Sequence, residues 1–402
     1  RSTRTERVRF ELPDLGSIQR LVSAPDGKLL VIGDEGIARL ALNASGGNAG
    51  AANGVAAKPA LDASFGQAGV ARIELKNAEL QAATIDAKGR VIVVGHITTM
   101  RRAEDLLVVR LRPNGVLDAS FGKEGIVTAD FGSTDDRPSA VFAVPGGDIV
   151  VIGSHQQGKD GERYEGYLVR LDAKGQRRDK VAFFDCIPKS REFVTRALRD
   201  GDGFVVAGYA YNATADDSGV YIARVRENGT LDPAFGEAGV RRVRGGDLGR
   251  SVAWELATAK NGDFLLGGSS GEEIAKYRGF VMRFDHRGAL VPTWGTEGTA
   301  WPSEGVKWIS MVVEDHDDGP GGGSGDGGGD DSGSGGDAGG VIAVNQLDGS
   351  LTRFDAQGVV DRGFGSDGIV KGRADDDYDA GIALDNGDIV VAGDKQLVVY
   401  AR

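Results

Sequence analysis

A single cysteine, Cys186, stands among 402 residues, so no internal disulfide ties the chain together. Its four histidines, His96, His155, His286 and His316, are spread along the sequence. They are too few and too scattered to complete a zinc site with it. No apolar run approaches the roughly 18 residues that a membrane-spanning helix needs, so no transmembrane segment is expected. Basic residues are in deficit. Lys and Arg number 47 against 59 Asp and Glu, a net charge of −12, which argues against nucleic acid as a partner. No segment keeps a helical period between caps. Ser-His-Asp elbows, phosphate loops and dinucleotide fingerprints are missing. No catalytic residue, metal ligand or cofactor is therefore expected.

What the chain has in quantity is repetition. LDASFGQAGV begins at Leu61, LDASFGKEGI at Leu117 and LDPAFGEAGV at Leu231, with a weaker copy, VDRGFGSDGI, at Val360. A second landmark is a tight turn, an apolar run and a glycine. It ends at Gly33, Gly95, Gly153, Gly208, Gly268 and Gly393, with Asn345 in the remaining copy. A third is an arginine within a later apolar run: Arg39, Arg110, Arg170, Arg224, Arg283, Arg353 and Arg402. By subtraction these arginines lie 71, 60, 54, 59, 70 and 49 residues apart. Each unit parses into four short strands bounded by Gly, Asp and Asn. In the third copy they are GIVTADF from Gly125, AVFAVP from Ala140, DIVVIG from Asp148 and YLVRL from Tyr167. Four antiparallel strands per repeat predict an all-β, seven-bladed β-propeller of four-stranded blades. It should form one domain over 1–402, with insertions at 43–60 and 315–339. The first strand is expected near Val8–Leu12, innermost in its blade, and the last strand ends at Arg402. Closure is then by packing of the last blade on the first rather than by a shared blade.

The L-D-x-x-F-G-x-x-G segment, followed by an apolar strand and a D-G-K-I-V-V-A-G-like run, resembles the bacterial delta-sixty repeat. The resemblance covers nearly the whole chain. It breaks after the third unit, where QRRDKVAFFDC replaces the Phe-Gly segment, and in the sixth, where an insertion splits a hairpin. It implies a propeller in a bacterial cell-envelope, periplasmic or secreted setting, and carries no catalytic motif.

Seven copies of one arginine argue for a structural role. A guanidinium donates up to five hydrogen bonds in a fixed fork, and the Asp of L-D-x-x-F-G (Asp62, Asp118, Asp232) is its expected partner. Phe65, Phe121, Phe235, Trp294 and Phe364 read as plugs between blades. The acid pairs Asp135–Asp136 and Asp375–Asp377 with Asp379 read as turn caps.

Loop length points to a binding face. The connections HITTMRRAEDL, SHQQGKDGERYEG, YAYNATADDSG and SSGEEIAKYRG of the second to fifth units are long. Long loops on a rigid scaffold commonly carry binding, and Tyr, Trp and Arg are the usual anchors. The candidate ligand-binding residues are Arg101, Arg102, Arg163, Tyr164, Tyr209, Tyr211 and Tyr277, with Trp301 and Trp308 on the same face. The expected function is a non-catalytic, monomeric binding scaffold for a protein or glycan. The alternative is a propeller enzyme (a lactonase, lyase or quinone-dependent dehydrogenase) with its site in the central channel.

Residues 315–339 hold twelve glycines and seven aspartates without Lys or Arg. They replace a two-residue turn and add no periodic apolar residue. Shortening them to Asp-Gly is expected to leave the melting temperature unchanged or slightly raised. Loop closure grows only with the logarithm of length, so the gain is at most about 1–2 kcal/mol. A melt that collapses on deletion contradicts this reading.

Overall fold

A computed structural model describes residues 7–43, 58–100, 103–132, 135–157, 163–211, 219–244, 250–271, 277–302, 309–313, 340–372, 378–384, 387–393 and 395–400. The described residues are all β and contain no helix. Strands such as Val91–Thr98 are apolar almost without a break and buried on both faces. Sheets covered on both sides read this way. Here each four-stranded unit packs between two others. Leu30 and Ile32 of the first unit share a core with Val93 and Leu107 of the second. Leu29 and Val31 meet Val390 and Leu397 across the two ends of the chain.

Within a unit the strands are antiparallel neighbours in chain order. The first strands are Ile18–Ser23, Ala78–Ile85, Asp136–Ala143, Arg191–Asp200, Arg250–Thr258, Ile309–Val313 and Ala380–Ala383. Each touches the next, and the last touches the first. They form a closed inner ring, the arrangement of a propeller. Seven separate four-stranded sheets do not form, however. The hydrogen bonds make six sheets: four of four strands, one of five and one of eight. In the eight-stranded sheet a single parallel bridge, Tyr164 to Arg191, joins the third unit to the fourth. The fifth strand of the five-stranded sheet is Lys58–Leu61, the end of the first insertion, which pairs with Gly36–Asn43. Residues 315–339 and Arg402 lie outside the described residues.

Two expectations about strand order are corrected. The strand after each Phe-Gly segment is the outermost of its unit, not the innermost: Ile126–Ala129 pairs only with Glu104–Leu111. The N-terminal strand Arg7–Glu11 is likewise outermost, but in the last sheet. It runs antiparallel to Gln396–Tyr400, from Arg7 opposite Tyr400 to Glu11 opposite Gln396. Closure is therefore by a shared unit. The physical reason is the edge: strand Gln396–Tyr400 would otherwise present unpaired N–H and C=O groups, and the N-terminal strand satisfies them.

Four of the strand arginines pair with the Asp of the motif, while Arg170 turns to Glu227 at 3.3 Å. Arg39 Nε lies 2.7 Å from Asp62 Oδ2, and Arg110 Nε 2.9 Å from Asp118 Oδ2. Arg353 reaches Asp361 at 3.1 Å, and Arg224 reaches Asp232 at 3.7 Å. Val291 stands where the fifth unit lacks the Asp, and Arg283 turns to Asp263 at 2.7 Å. Arg39 and Arg110 also donate forward, to the carbonyls of Pro113 and Ala173 in the following units. Their guanidinium carbons sit 4.7 and 4.5 Å above the rings of Phe65 and Phe121.

Arg110 is only 1% exposed and Asp118 6%. Arg110→Ala removes the shortest arginine contact of a buried carboxylate, leaving Arg90 and Arg112 at 3.7 and 3.9 Å, and should cost about 1.5–3 kcal/mol. Arg353→Ala removes a half-exposed pair and should cost under about 1 kcal/mol. Urea unfolding of the two variants checks this, and equal losses would contradict the clamp.

Candidate functional site

The connections between second and third strands and the links between units share one face. Backbone bonds show it: Gln156 N–H donates to the Asp135 carbonyl at 2.9 Å, and Thr98 N–H to Asn77 at 2.8 Å. On this face the third and fourth units bring a set of rings together. Tyr164 opens the strand Arg163–Leu171, while Tyr209 and Tyr211 close the strand Gly203–Tyr211. Phe193 lies among them from the inner strand, with ring centroids 4.6 Å from Tyr164, 5.2 Å from Tyr209 and 6.0 Å from Tyr211. Tyr209 and Tyr211 stack at 6.2 Å and 12°. Period two places 209 and 211 on one side of their strand, which is why the sequence YAY makes a flat surface.

Arg191 is held in this group. Its guanidinium carbon lies 5.6 Å from the rings of both Tyr164 and Tyr211, a geometry in which the ring faces attract the cation. Its buried Nε has no hydrogen-bond partner among the described residues. A second arginine, Arg137, donates to Glu104 Oε1 at 2.9 Å. Tyr164 donates its hydroxyl to Asp135 Oδ2 at 2.8 Å. Burial, then that bond, push the Tyr164 phenol up to about 12. Burial and the neighbouring Tyr211 push Tyr209 up to about 12 as well.

Of the sequence candidates, Tyr164, Tyr209 and Tyr211 come together, and Tyr277 lies close enough to act electrostatically on Tyr209. Arg163 is exposed at the rim and faces Asp185 at 3.6 Å. Trp301 sits apart, edge-on to Phe280 at 6.1 Å and beneath Arg278 at 4.9 Å. Arg101, Arg102 and Trp308 lie outside the described residues. Arg191 and Phe193 were not among the candidates. They begin an inner strand, whereas the repeat pattern alone assigns the inner position to the strand before it.

His96 and His155 do occupy equivalent registers, opposite Glu79 and Asp136, but in separate units. The central axis is spanned by an ion cluster. Glu255 accepts from Arg20 at 3.3 Å and from Arg196 at 3.2 Å, joining the first, fourth and fifth inner strands. A groove of about 940 Å³ on the same face, between the first and second units, is lined by Asp34, Glu35, Arg72, Glu74 and Thr98 without an aromatic.

Comparison with known proteins bears on the fold. The family described as a domain of unknown function (DUF5122) beta-propeller matches residues 89–121 and 202–235. This supports a propeller-forming repeat. No curated protein matches the chain. Among solved structures, a streptogramin B lyase is 11% identical with a TM-score of 0.53, over 98% of each chain. A catalytically inactive virginiamycin B lyase from Staphylococcus aureus, with quinupristin, is 11% identical at 0.54, over 99% of this chain and 100% of that one. An ulvan lyase bound to -[GlcA(1-4)Rha3S]- is 12% identical at 0.52, over 98% and 96%. At such identities the likeness is one of fold.

Beneath the rings, Glu192 of the same inner strand is 0% exposed. Its carboxylate accepts the Ile187 N–H at 2.7 Å and so shapes the link into the strand. Burial pushes its carboxyl from 4.5 up to about 8. The folded chain thus keeps a proton that the unfolded chain gives up near 4.5. Stability is fully present below that value and falls as pH rises toward about 8. Glu192→Gln should flatten this part of the stability–pH curve, measured by thermal melts from pH 5 to 9. An unchanged slope would show that Glu192 is not its source.

Proposed function

We propose that this chain is a seven-bladed propeller, the eight-stranded sheet counting as two blades, of the delta-sixty kind. We further propose that it binds an acidic, ring-bearing ligand of the uronate-glycan class on the loop face of its third and fourth units, and acts on it as a lyase. The carrying observation is Arg191, clamped between two tyrosine rings with its Nε unpaired among the described residues. Sugar rings stack on flat aromatic faces, and a guanidinium pairs with a carboxylate in a fork. Neutralising a uronate carboxylate is also what elimination beside it needs. Three lyases share the fold, one of them bound to a glucuronate-containing segment. With this reading we propose that the protein works outside the cytoplasm, at the cell envelope or beyond it, as a monomer.

A second reading keeps the ligand and drops the chemistry, leaving the protein a glycan-binding scaffold. Its support is that Tyr164 already commits its hydroxyl proton to Asp135 and that both Tyr164 and Tyr209 are pushed up to about 12, so neither supplies a base at neutral pH.

Affinity electrophoresis with alginate, pectate, ulvan and neutral dextran tests the binding. An acidic glycan should retard the protein, and Arg191→Ala should weaken the retardation about tenfold or more, the worth of one charge-assisted hydrogen bond. Ultraviolet absorbance of unsaturated ends then separates the readings: its growth supports the lyase, and retardation without it supports the scaffold. Indifference of the protein to every acidic glycan would sink both.

A further inference from the structure

A cluster of carboxylates lies at the junction of the second and third units, next to Asp135, which accepts from Tyr164. One oxygen each from Asp105, Asp130 and Asp136 lie within 4.8 Å of one another. They come from three elements. Asp105 is in the strand Glu104–Leu111, Asp130 follows the outer strand Ile126–Ala129, and Asp136 begins an inner strand. The backbone fixes two of them. Gly132 N–H donates to Asp130 Oδ1 at 2.6 Å, and Phe131 N–H donates to Asp136 Oδ2 at 2.9 Å. His155 Nδ1 lies 2.7 Å from Asp136 Oδ1 and holds that carboxylate from the other side. Burial and the charges of Asp130 and Asp136 push the Asp105 carboxyl upward.

A second feature points the same way. Tyr167 is 0% exposed, and its buried hydroxyl has no hydrogen-bond partner among the described residues. It faces the cluster: the Asp136 charge acts on the phenol, and its ring packs edge-on against Phe131 at 5.1 Å, the residue between Asp130 and Gly132. A buried hydroxyl left alone costs free energy that a bound group recovers.

We propose that Asp105, Asp130 and Asp136 hold a divalent cation of the calcium class, with a water on the ion serving the Tyr167 hydroxyl. Calcium takes several carboxylate oxygens at about 2.3–2.6 Å in a permissive geometry, whereas magnesium demands a near-ideal octahedron at about 2.0–2.1 Å. Carboxylates brought together from three separate elements suit the more permissive ion. The ion would pin the second unit to the third, one carboxylate from the former and two from the link and strand that follow it. This site does not depend on the glycan reading.

Terbium, a luminescent calcium probe excited through nearby tyrosine, tests the site in the full chain. Sensitised emission should saturate with added terbium and fall when calcium chloride competes. Asp105→Asn should weaken terbium binding about tenfold or more, as loss of a ligand does. The same change should raise the melting temperature in EDTA, because it removes like-charge repulsion, and abolish the rise that calcium gives the parent protein. Tyr167→Phe should lose most of the emission yet keep the calcium-dependent rise in melting temperature, so a folded variant reports the geometry. The shortened 315–339 variant should keep the emission. Emission that disappears with that shortening while surviving Asp105→Asn would overturn the proposal. So would melts of the parent protein that EDTA and calcium leave unchanged, since the three carboxyls would then be sharing protons.

Discussion

The guanidinium clamp is the interaction on which the other features rest. Arg39 and Arg110, each in the third strand of its unit, use Nε on the Asp of L-D-x-x-F-G, Nη1 on a carbonyl of the next unit, and the flat face on the Phe of the same motif. Three directions of one rigid group thus fix a strand, the turn after it and the neighbouring unit. The glycine of the motif adds a parallel tie, since the N–H groups of Gly66, Gly122, Gly236 and Gly295 each donate to a carbonyl in the following unit. The turn glycine of that unit must then come close. A Cβ on Gly115 would lie 2.6 Å from the Gly66 nitrogen and 3.0 Å from the Phe65 ring. Repeated around a ring, this box sets the angle between units, and the angle decides that the ring closes.

How much of this was legible follows from what each feature costs to vary. The box was readable because Arg, Asp, Phe and Gly each do something no other residue does as well, so their spacing survives in every intact copy. The phase of the repeat was not. A four-stranded antiparallel unit gives the same periodic pattern wherever the cut is made, and nothing local marks the strand that lies innermost. That ambiguity moved every strand one place inward and hid the sharing of the last sheet between the two ends of the chain.

The same ambiguity explains the site. Tyr164, Tyr209 and Tyr211 were legible as aromatic residues at the ends of long connections, a place where a ring has no core to fill. Arg191 and Phe193 looked like the middle of a unit, although they open an inner strand at the face where the connections converge. Trp301 followed the opposite path. It looked like a loop anchor, but the nearby Phe280 and Arg278 take up its two kinds of surface. An aromatic residue in a loop marks a binding face only when no core side chain is within reach.

Buried acids here are neutralised in more than one way, and the differences carry functional information. In the clamps each carboxylate has a guanidinium, and Glu255 on the axis has two, Arg20 and Arg196. Opposite charge of fixed geometry suits positions that must never change, because breaking such a pair is costly. Glu192 has no ion pair among the described residues, and burial pushes its carboxyl up, which makes its contribution depend on pH. The Asp130 and Asp136 carboxylates are held, among the described residues, by backbone N–H groups and an imidazole, and an oxygen of Asp105 lies within reach of both. The Arg110 clamp ties the same two units near the end of the strand Glu104–Leu111, and a cation at Asp105 would add a second tie at its beginning.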